Sequence, residues 1–373
     1  MGALRVAFVS QSGDVTGGAE ESLALLLRHL PAAIDPRVVL FGEGAYARRL
    51  RGLGLDVSIV PFGDDVLHAT REKFLRTGFG AVSEIGRLRN AFVDLGVDVV
   101  HTNSVKAHVL GGTAARLAGL GTVMHLRDIL TGTARRVLCT LARACASERI
   151  AISRSVADAY ALKRTTVIYN PLDLEAYQNM PPCRAARRAL DLPETGLVVG
   201  LVGRINRWKG HMTFLEVAAR LAPRDITFAI VGEARFRDTE FVAELEERAR
   251  QLELGSRVRF VPWVEDTRTV FAALDVNCNC STREPLGRTI LEAAACGVPS
   301  VAFDDGGPAE IVPQSGGIVV PAGDIAAYAN AVERLLDTAS SGAARDFRRA
   351  SVKTYDASEH ASAVATVLQR VAR

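Results

Sequence analysis

Residues 197–232 read LVVGLVGRINRWKGHMTFLEVAARLAPRDITFAIVG, and this stretch decides the fold class. Two short apolar runs, LVVGLVGR (197–204) and ITFAIVG (226–232), enclose a segment with the spacing of an amphipathic helix. Apolar runs of this length that alternate with helices are typical of parallel strands buried on both faces. The stretch therefore predicts one β-α-β unit of a doubly wound, Rossmann-like domain.

The same rhythm extends in both directions along the chain. It runs from RVAFVS (5–10) to TTVIY (165–169), and again from residue 197 to GIVVP (317–321). Between these halves, a proline-containing segment at 169–196 breaks the pattern. We therefore predict an α/β chain with four parts: a Rossmann-like domain at 1–170, a connector at 171–195, a second Rossmann-like domain at 196–345, and C-terminal helices at 346–373 that pack back on the first domain.

Composition argues against several classes of function. Lys and Arg exceed Asp and Glu by only 3 (45 against 42), a surplus too small to predict nucleic-acid binding. No run of 18 apolar residues occurs, and the first residues lack the charged region of a signal peptide. The six cysteines form no CxxC pair, so free thiols in a reducing cytoplasm are favoured over a zinc site. We therefore expect a cytoplasmic protein without a metal centre.

The stretch EPLGRTILEAAACGVPS (284–300) follows a predicted strand and offers two carboxylates. Gly287 precedes a helical pattern, and the free backbone N–H groups of a helix N-terminus bind anions. Glu284 stands before that terminus, and Glu292 lies about one and a half turns into the helix. Carboxylates accept hydrogen bonds from hydroxyls, so the pair suits a sugar nucleotide. By spacing alone, a helix-terminal charge and a solvated face residue explain the two glutamates equally well.

Two further loops that follow predicted strands carry groups suited to phosphate. Arg204 and Lys209 in VGRINRWKG could clamp a diphosphate, although surface charge is the common alternative. Gly17 and Gly18 in SQSGDVTGGAEE let the backbone approach a ligand, and a plain βα turn is the alternative. The first loop is not GxxxxGK[ST] and the second is not GxGxxG, so neither predicts a P-loop or a nicotinamide site.

A fourth candidate is TVMHLRDIL (122–130), in which His125, Arg127 and Asp128 fall at a strand end. A single histidine in such a place is more often structural than functional. The nearby carboxylate of Asp128 makes His125 a candidate for a functional group.

Taken together, these segments resemble the GT4 family of retaining GT-B glycosyltransferases over nearly the whole chain. The resemblance rests on the E-x7-E spacing from Glu284 to Glu292, on GVPSVAFDDGGPAEIV (297–312), VGRINRWKG and GGAE, and on YNPLD (169–173). It implies a GT-B fold, with two Rossmann-like domains facing a central cleft. It also implies retaining transfer of a hexose-type sugar from a UDP- or GDP-sugar donor to a hydroxyl acceptor, without a metal or another cofactor.

The resemblance also implies roles for particular residues. Glu292 would bind the ribose and Glu284 the donor sugar, Arg204 and Lys209 would neutralise the diphosphate, and His125 would contact the sugar. The leaving diphosphate would take the acceptor's proton, so stabilising its charge is the main catalytic task. The implied catalytic set is Glu284, His125, Arg204 and Lys209. The other implied donor-binding positions are Gly17, Gly18, Gly203, Gly232, Trp263, Val264, Leu286, Gly287 and Arg288.

Two features depart from the family pattern. Pro285-Leu286 stands where Gly-Phe often follows the first glutamate, which bears on how the sugar fits. The order His-Leu-Arg-Asp makes Arg127 and Asp128 candidates for acceptor binding. The basic segments 62–80 and 135–145 would border the acceptor site or make peripheral contact with the inner membrane face. A solvated loop and a helix packed on the sheet are the alternatives for these two segments.

Polysaccharide, glycolipid and glycosylated-metabolite products all fit these patterns. Two other functions remain open, namely a GT-B nucleotide-sugar 2-epimerase and a non-catalytic nucleotide-sugar-binding protein. The spacing of Glu284 and Glu292 and the run GGPAEIV favour a transferase over an epimerase. The presence of every implied charged group, with His125, argues against loss of activity.

Overall fold

The computed structural model describes residues 2–11, 13, 17–62, 82–234, 238–338 and 341–372. These residues form two compact units. The first unit comprises Met1–Pro171 together with Tyr355–Arg373, and the second comprises Leu172–Thr354. The predicted acceptor or membrane segment at 62–80 lies, from position 63 onward, outside the described residues.

The first unit is a parallel sheet whose strands are joined by helices. Its elements up to the boundary are β1 (Leu4–Ser10), α1 (Gly18–Arg28), β2 (Ile34–Leu40), α2 (Ala45–Gly52), β3 (Asp56–Ile59), α3 (Val82–Asp94), β4 (Val99–Thr102), α4 (Val105–Leu117), β5 (Gly121–Leu126), α5 (Gly132–Cys145), β6 (Glu148–Ala151), α6 (Arg154–Tyr160) and β7 (Thr165–Val167). The strand order is β3-β2-β1-β4-β5-β6-β7, and these pairings are parallel. The strand order reverses direction between β1 and β4, which is where doubly wound sheets bind ligands.

The second unit repeats this architecture. Its elements are α7 (Cys183–Ala189), β8 (Leu197–Val202), α8 (His211–Leu221), β9 (Ile226–Val231), α9 (Thr239–Gln251), β10 (Val258–Val261), α10 (Thr267–Ala272), β11 (Val276–Asn279), α11 (Arg288–Ala295), β12 (Ser300–Phe303), α12 (Pro308–Ile311), β13 (Ile318–Val320), α13 (Ile325–Thr338) and α14 (Gly342–Ser351). The strand order is β10-β9-β8-β11-β12-β13, and these pairings are parallel. The direction reverses between β8 and β11.

The last helix, α15 (Ala357–Val371), belongs to the first unit although it ends the chain. Alternate residues of a strand point to opposite faces of a sheet, and β1 shows this clearly. Phe8 packs in one layer with Leu23 of α1 and Leu368 of α15, whereas Val9 packs in the opposite layer with Phe92 of α3. Helix α15 therefore completes one of the two apolar layers that cover the first sheet.

The segment predicted as a connector is part of the second unit. Ala186 and Leu190, in and just after α7, are buried in a cluster with Phe271 of α10. Arg187 is also buried, and its Nη2 donates to Asp275 Oδ2 at 2.8 Å. The second unit therefore begins at Leu172 rather than at the predicted residue 196, and it includes α14 up to Thr354. The apolar residues of α7 explain this boundary, because they are buried only when the helix packs against the rest of the second unit.

Candidate active site

The residues predicted to bind the donor in the second unit lie on loops after adjacent strands. Gly203 follows β8, Gly232 follows β9, Trp263 lies just past β10, and Glu284 lies in the loop after β11. The order β10-β9-β8-β11 makes these strands neighbours, and parallel strands end at a common edge of the sheet. The fold therefore brings these positions to one edge of the second unit, which we call the β8–β11 edge.

Lys209 and Glu284 form an ion pair at the β8–β11 edge. Lys209 Nζ lies 2.6 Å from Glu284 Oε2, and the two side chains are only 19% and 7% exposed. The lysine ends a short 3-10 turn, Arg207–Lys209, in which Asn206 Oδ1 accepts the backbone N–H of Lys209 at 3.1 Å. Partial exclusion of water strengthens the attraction between such charges. The ammonium group is thus fixed through both its side chain and its backbone, whereas Arg204 is exposed.

Close backbone packing positions the turn that carries Lys209. The N–H of Thr282 donates to the carbonyl oxygen of Trp208 at 2.9 Å. Gly210 ends the turn with φ 77°, and a Cβ there would lie 2.0 Å from the carbonyl oxygen of Cys280. Only glycine fits this position, so the Lys-Gly pair in the sequence is explained by the contact between the turn and the end of β11.

Glu284 is held by the loop that follows β12. Its N–H donates to the carbonyl oxygen of Asp305 at 3.1 Å, and its own carbonyl accepts from the N–H of Gly307 at 2.8 Å. A Cβ on Gly306 would lie 2.3 Å from the carbonyl oxygen of Glu284, and one on Gly307 would lie 2.4 Å from Leu286 Cα. The two glycines in the sequence run DDGGPAE thus permit the contact that places Glu284.

Helix α11 begins directly after this loop and carries Glu292. Gly287 is its N-cap, in the left-handed region with φ 92° and ψ 61°. Glu292 is 6% exposed, and its Oε1 accepts from Arg288 Nε at 2.7 Å. Burial and then the nearby charge of Glu292 raise the pKa of Tyr177. A carboxylate accepts several hydrogen bonds, so Glu292 can bind a ligand hydroxyl as well as Arg288.

The backbone segments that follow β8 and β9 are in direct contact. The N–H of Gly203 donates to the carbonyl oxygen of Val231 at 2.9 Å, and a Cβ on Gly232 would lie 2.1 Å from the carbonyl oxygen of Gly203. Trp263 is 53% exposed and Val264 is half-buried. These positions therefore offer backbone groups and apolar surface to a ligand. They lie at the part of the β8–β11 edge nearest to β10.

The first unit holds a buried cluster around His125 where β4 and β5 end. The His125 ring is 0% exposed, and its Nδ1 lies 3.2 Å from His101 Nε2 and 3.4 Å from Arg127 Nη2. His360 of α15 stacks on it, with ring centroids 6.1 Å apart and planes inclined by 23°. The cluster therefore joins groups from β4, β5 and the C-terminal helix.

Two asparagines orient Arg127 within this cluster. Its Nε donates to Asn103 Oδ1 at 2.7 Å, and its Nη1 donates to Asn170 Oδ1 at 2.6 Å. Asn103 follows β4, and Asn170 belongs to the YNPLD segment. Asp128 is half-buried, and its backbone oxygen accepts from Tyr160 Oη at 2.8 Å. The acceptor role of Arg127 and Asp128 stays a prediction.

Burial keeps the histidines of this cluster neutral. Desolvation, and then the charge of Arg127, lower the pKa values of His101 and His125 well below the usual range. The same two causes lower the pKa of His108 to about 3, and burial lowers that of His360 to about 4. A proton added to any of these rings would carry charge into a water-poor site beside a guanidinium.

Gly17 and Gly18 lie at the start of α1. The N–H of Gly17 donates to Glu20 Oε2 at 3.0 Å, so Glu20 caps the helix that this glycine opens. Gly18 is exposed, and residues 14–16 just before this pair lie outside the described residues. The predicted contact of these glycines with a diphosphate stays a prediction.

The described residues offer neither a candidate metal-binding group nor a helix that could span a membrane. They contain no group of three or more His, Cys, Asp or Glu side chains placed to hold a metal ion. None of the helices in the same part of the chain combines the length and the apolar character needed to cross a bilayer.

Comparison with known families accounts for both units. Residues 16–176 match the family described as Glycosyltransferase Family 4, and residues 196–338 match the family described as Glycosyl transferases group 1. The chain belongs to the family 4 glycosyltransferases. The resemblance inferred from the E-x7-E spacing and its companion segments is thereby confirmed.

Relatives within family 4 include two proteins of Rhizobium meliloti. The lipopolysaccharide core biosynthesis glycosyltransferase LpsE is 36% identical over 151 residues, which cover 40% of this chain and 42% of LpsE. The lipopolysaccharide core biosynthesis mannosyltransferase LpsB is 30% identical over 223 residues, which cover 58% of this chain and 63% of LpsB. This chain thus spans less than two thirds of the length of either relative.

The fold is similar to that of HepE from Anabaena. The HepE structure in complex with UDP has a TM-score of 0.84 and 27% identity, over 98% of this chain and 100% of that chain. Another HepE structure, in complex with UDP-glucose, has a TM-score of 0.83. The predicted α/β class and GT-B fold are confirmed by this likeness and by the two parallel sheets.

Several residues at the β8–β11 edge and in the cluster around His125 were missed from the sequence. Asn206 could have been found, because asparagine is a common cap residue and stands three positions before Lys209. Asn103 and His101 carried no spacing that distinguishes them from ordinary strand residues. His360 gave no signal either, since its Nδ1 bonds the carbonyl oxygen of Tyr169, 191 positions away in the sequence.

Proposed function

We propose that this chain is a retaining hexosyltransferase that uses a UDP-sugar donor. The observation that carries the proposal is the Lys209–Glu284 ion pair, fixed by backbone contacts at the β8–β11 edge. A cation and a carboxylate so placed suit a diphosphate and the hydroxyls of the sugar attached to it. The complexes of HepE with UDP and UDP-glucose support the choice of UDP over GDP for this chain.

The reaction exchanges one bond at the anomeric carbon for another. The bond from this carbon to the diphosphate oxygen breaks, and a bond to the acceptor oxygen forms on the same face of the sugar. The leaving diphosphate takes the acceptor's proton. The ammonium of Lys209 would stabilise the developing negative charge, a task typically worth about 3–4 kcal/mol for one such group. Glu284 would hold that ammonium in place and accept a hydroxyl of the sugar.

The remaining donor contacts would follow the order of the strands. The carboxylate of Glu292 would bind the ribose, with Arg288 orienting it through the 2.7 Å hydrogen bond. Backbone groups at Gly203 and Gly232, with the exposed ring of Trp263, would face the base. Arg204, which is exposed, would complete the charge around the diphosphate from its solvent side.

The first unit would serve the acceptor, with His125 near the transferred sugar. The names of LpsE and LpsB support a glycolipid of the lipopolysaccharide type as the product class. We place the protein in the cytoplasm, with peripheral membrane contact through helix α5. The apolar residues Leu138 and Ala142 of α5 are buried in the first unit, whereas Arg136 and Arg143 are exposed. Contact with a membrane would therefore be electrostatic and would weaken as salt is added.

Ligand binding tests the donor site directly. We expect UDP and UDP-sugars, but not GDP or ADP, to raise the melting temperature, by an amount equivalent to about 2.7 kcal/mol at 100 times the dissociation constant. Glu292→Gln removes the charge from hydrogen bonds worth about 1.5–3 kcal/mol, so it should weaken UDP binding about 10- to 100-fold. Glu246→Gln, the same change at an exposed position of α9, is the matched control and should bind like the wild type.

Turnover then separates a transferase from its rivals. With a donor and lipopolysaccharide-type acceptors, release of UDP that depends on the acceptor supports the proposal. Epimerisation of the donor without transfer would indicate the 2-epimerase, and tight binding without either reaction would indicate a binding protein. Stabilisation by GDP in place of UDP would overturn the donor assignment while leaving the site intact.

A further inference from the structure

We infer that Arg127 is a positioning residue that fixes the tautomer of His125, leaving Nδ1 as the acceptor and the proton on Nε2. The tautomer is a property of the first unit by itself. Its consequence for sugar transfer rests on the proposed function.

The chemistry of arginine makes this assignment. A guanidinium group has donors and no acceptor, so the contact from Arg127 Nη2 to His125 Nδ1 at 3.4 Å requires a lone pair on Nδ1. A proton on Nδ1 would set two N–H groups against each other. Asn103 and Asn170 hold the other side of the guanidinium at 2.7 and 2.6 Å, so Arg127 cannot turn away without losing both bonds.

The tautomer of His101 is set by that of His125 and does not determine it. Its Nε2 lies 3.2 Å from His125 Nδ1, and a neutral imidazole nitrogen either donates or accepts. Because Nδ1 of His125 accepts from Arg127, His101 Nε2 must carry the proton and donate. Both distances exceed the usual 2.9–3.0 Å for such bonds, as expected when two donors share one lone pair.

Burial and the charge of Arg127 keep the His125 ring neutral, so this arrangement persists between pH 8 and pH 6. Besides Arg127, the groups that act on the His125 ring are His101, His108 and His360, and burial and charge lower the pKa values of all of them. His125 Nε2 is a buried atom that has no partner among the described residues. A neutral ring with a fixed Nε2–H therefore offers one permanent donor, suited to a hydroxyl or carbonyl oxygen of a ligand.

The wild-type protein provides the first test. The chain has seven histidines, so imidazole ¹⁵N spectra of histidine-labelled protein can be assigned by comparison with His125→Asn. We expect a pyridine-type signal from Nδ1 and a pyrrole-type signal from Nε2 of His125, unchanged between pH 8 and pH 6. A pyrrole-type Nδ1, or a ring that becomes an imidazolium in this range, would overturn the inference.

Two substitutions test which neighbour selects the tautomer. His101→Phe removes one donor and should leave the His125 signals in place, because Arg127 remains. Arg127→Gln should give mixed tautomers, since an amide both donates and accepts, and it should lower kcat more than it raises KM. If Arg127→Gln fails to fold, Asn170→Ala should shift the signals in the same direction by releasing Nη1. Unaltered signals in the folded Arg127 or Asn170 variant would contradict the assigned role.

The tautomer of His125 and the transfer of a sugar are read out by different measurements. The spectra report the tautomer whether or not the protein transfers a sugar. A fixed Nε2–H tautomer in a protein that binds no UDP-sugar would refute the function and leave the inference standing.

Discussion

Neighbouring cations on one short turn have opposite surroundings. Lys209 is 19% exposed and pairs with the buried Glu284, whereas Arg207 is 67% exposed and pairs with Glu244 at 2.5 Å on the surface. Exposed pairs contribute about 0–1 kcal/mol, and their charges are screened by salt. Under the proposed function, Lys209 is the cation that acts on the leaving diphosphate, whereas Arg207 is a surface cation.

Lys209→Met should therefore lower kcat about 10²- to 10³-fold, because the charge that stabilises the leaving diphosphate is lost. It should also destabilise the second unit by about 1–3 kcal/mol, since the buried side chain of Glu284 loses its hydrogen-bond partner. Steady-state kinetics with the UDP-sugar and urea unfolding measure the two effects.

Arg207→Met is the matched control, because it removes a charge two positions away on the same turn. We expect kcat to stay within about threefold of the wild-type value, and the free energy of unfolding to stay within about 1 kcal/mol of it. Equal losses of kcat in the two variants would show that the total positive charge of the turn matters, and that the position of Lys209 does not.

At the scale of elements, the loops after β11 and β12 depend on each other through glycine. Gly307 has φ −58°, an ordinary helical value, so an alanine there meets no backbone strain. Its Cβ would nevertheless lie 2.4 Å from both Leu286 Cα and the carbonyl oxygen of Pro285. The loop that carries Glu284 would have to move.

Gly307→Ala should lower stability by about 1–3 kcal/mol, as overpacking does elsewhere. It should also weaken UDP binding, because the displaced loop includes Glu284 and leads into α11. Thermal unfolding with and without UDP measures both effects. Gly342→Ala provides the control, since a Cβ there meets no atom within 4 Å. Normal UDP binding by Gly307→Ala would show that the two loops are not coupled.

The elements themselves were predictable, and their long-range contacts were not. Buried parallel strands produce short continuous apolar runs, so residues 197–232 disclosed β8, α8 and β9 from the sequence. The positions of Glu284 and Lys209 at strand ends followed from the same reasoning. Their contact at 2.6 Å did not, because it depends on Gly210 and Gly306, whose need for close packing appears only in three dimensions.

At the scale of the whole molecule, each unit has its own core, and the chain contributes to the first core twice. Val364 and Leu368 of α15 are fully buried in the same layer as Val6 and Phe8 of β1. The sequence predicts that the C-terminal helices return to the first domain, but no local pattern marks the residue at which the chain does so. The predicted boundary at residue 345 therefore falls within α14, whereas the first unit resumes at Tyr355.

The two units should respond differently to acid, because buried histidines are distributed unequally between them. Among the described residues, the first unit holds His101, His108, His125 and His360 with lowered pKa values, and the second holds His211, whose pKa burial lowers to about 4. A histidine pKa lowered by folding means that the unfolded chain binds more protons below about pH 6.5. The stability contributed by such a group is complete above that pH and is lost as the pH falls toward the folded-state value.

We therefore expect the first unit to lose stability steeply between pH 6.5 and pH 5, by about 2 kcal/mol for each buried histidine at the lower limit, before coupling between them. Hydrogen exchange at several urea concentrations, read separately on β1 and β4–β6 and on β8–β12, measures each unit. His108→Gln should reduce by one the number of protons that the first unit takes up on unfolding, which makes its stability depend less steeply on pH. The pH dependence of the second unit should not change. Equal pH dependence in the two units would show that the cluster around His125 takes up protons without unfolding.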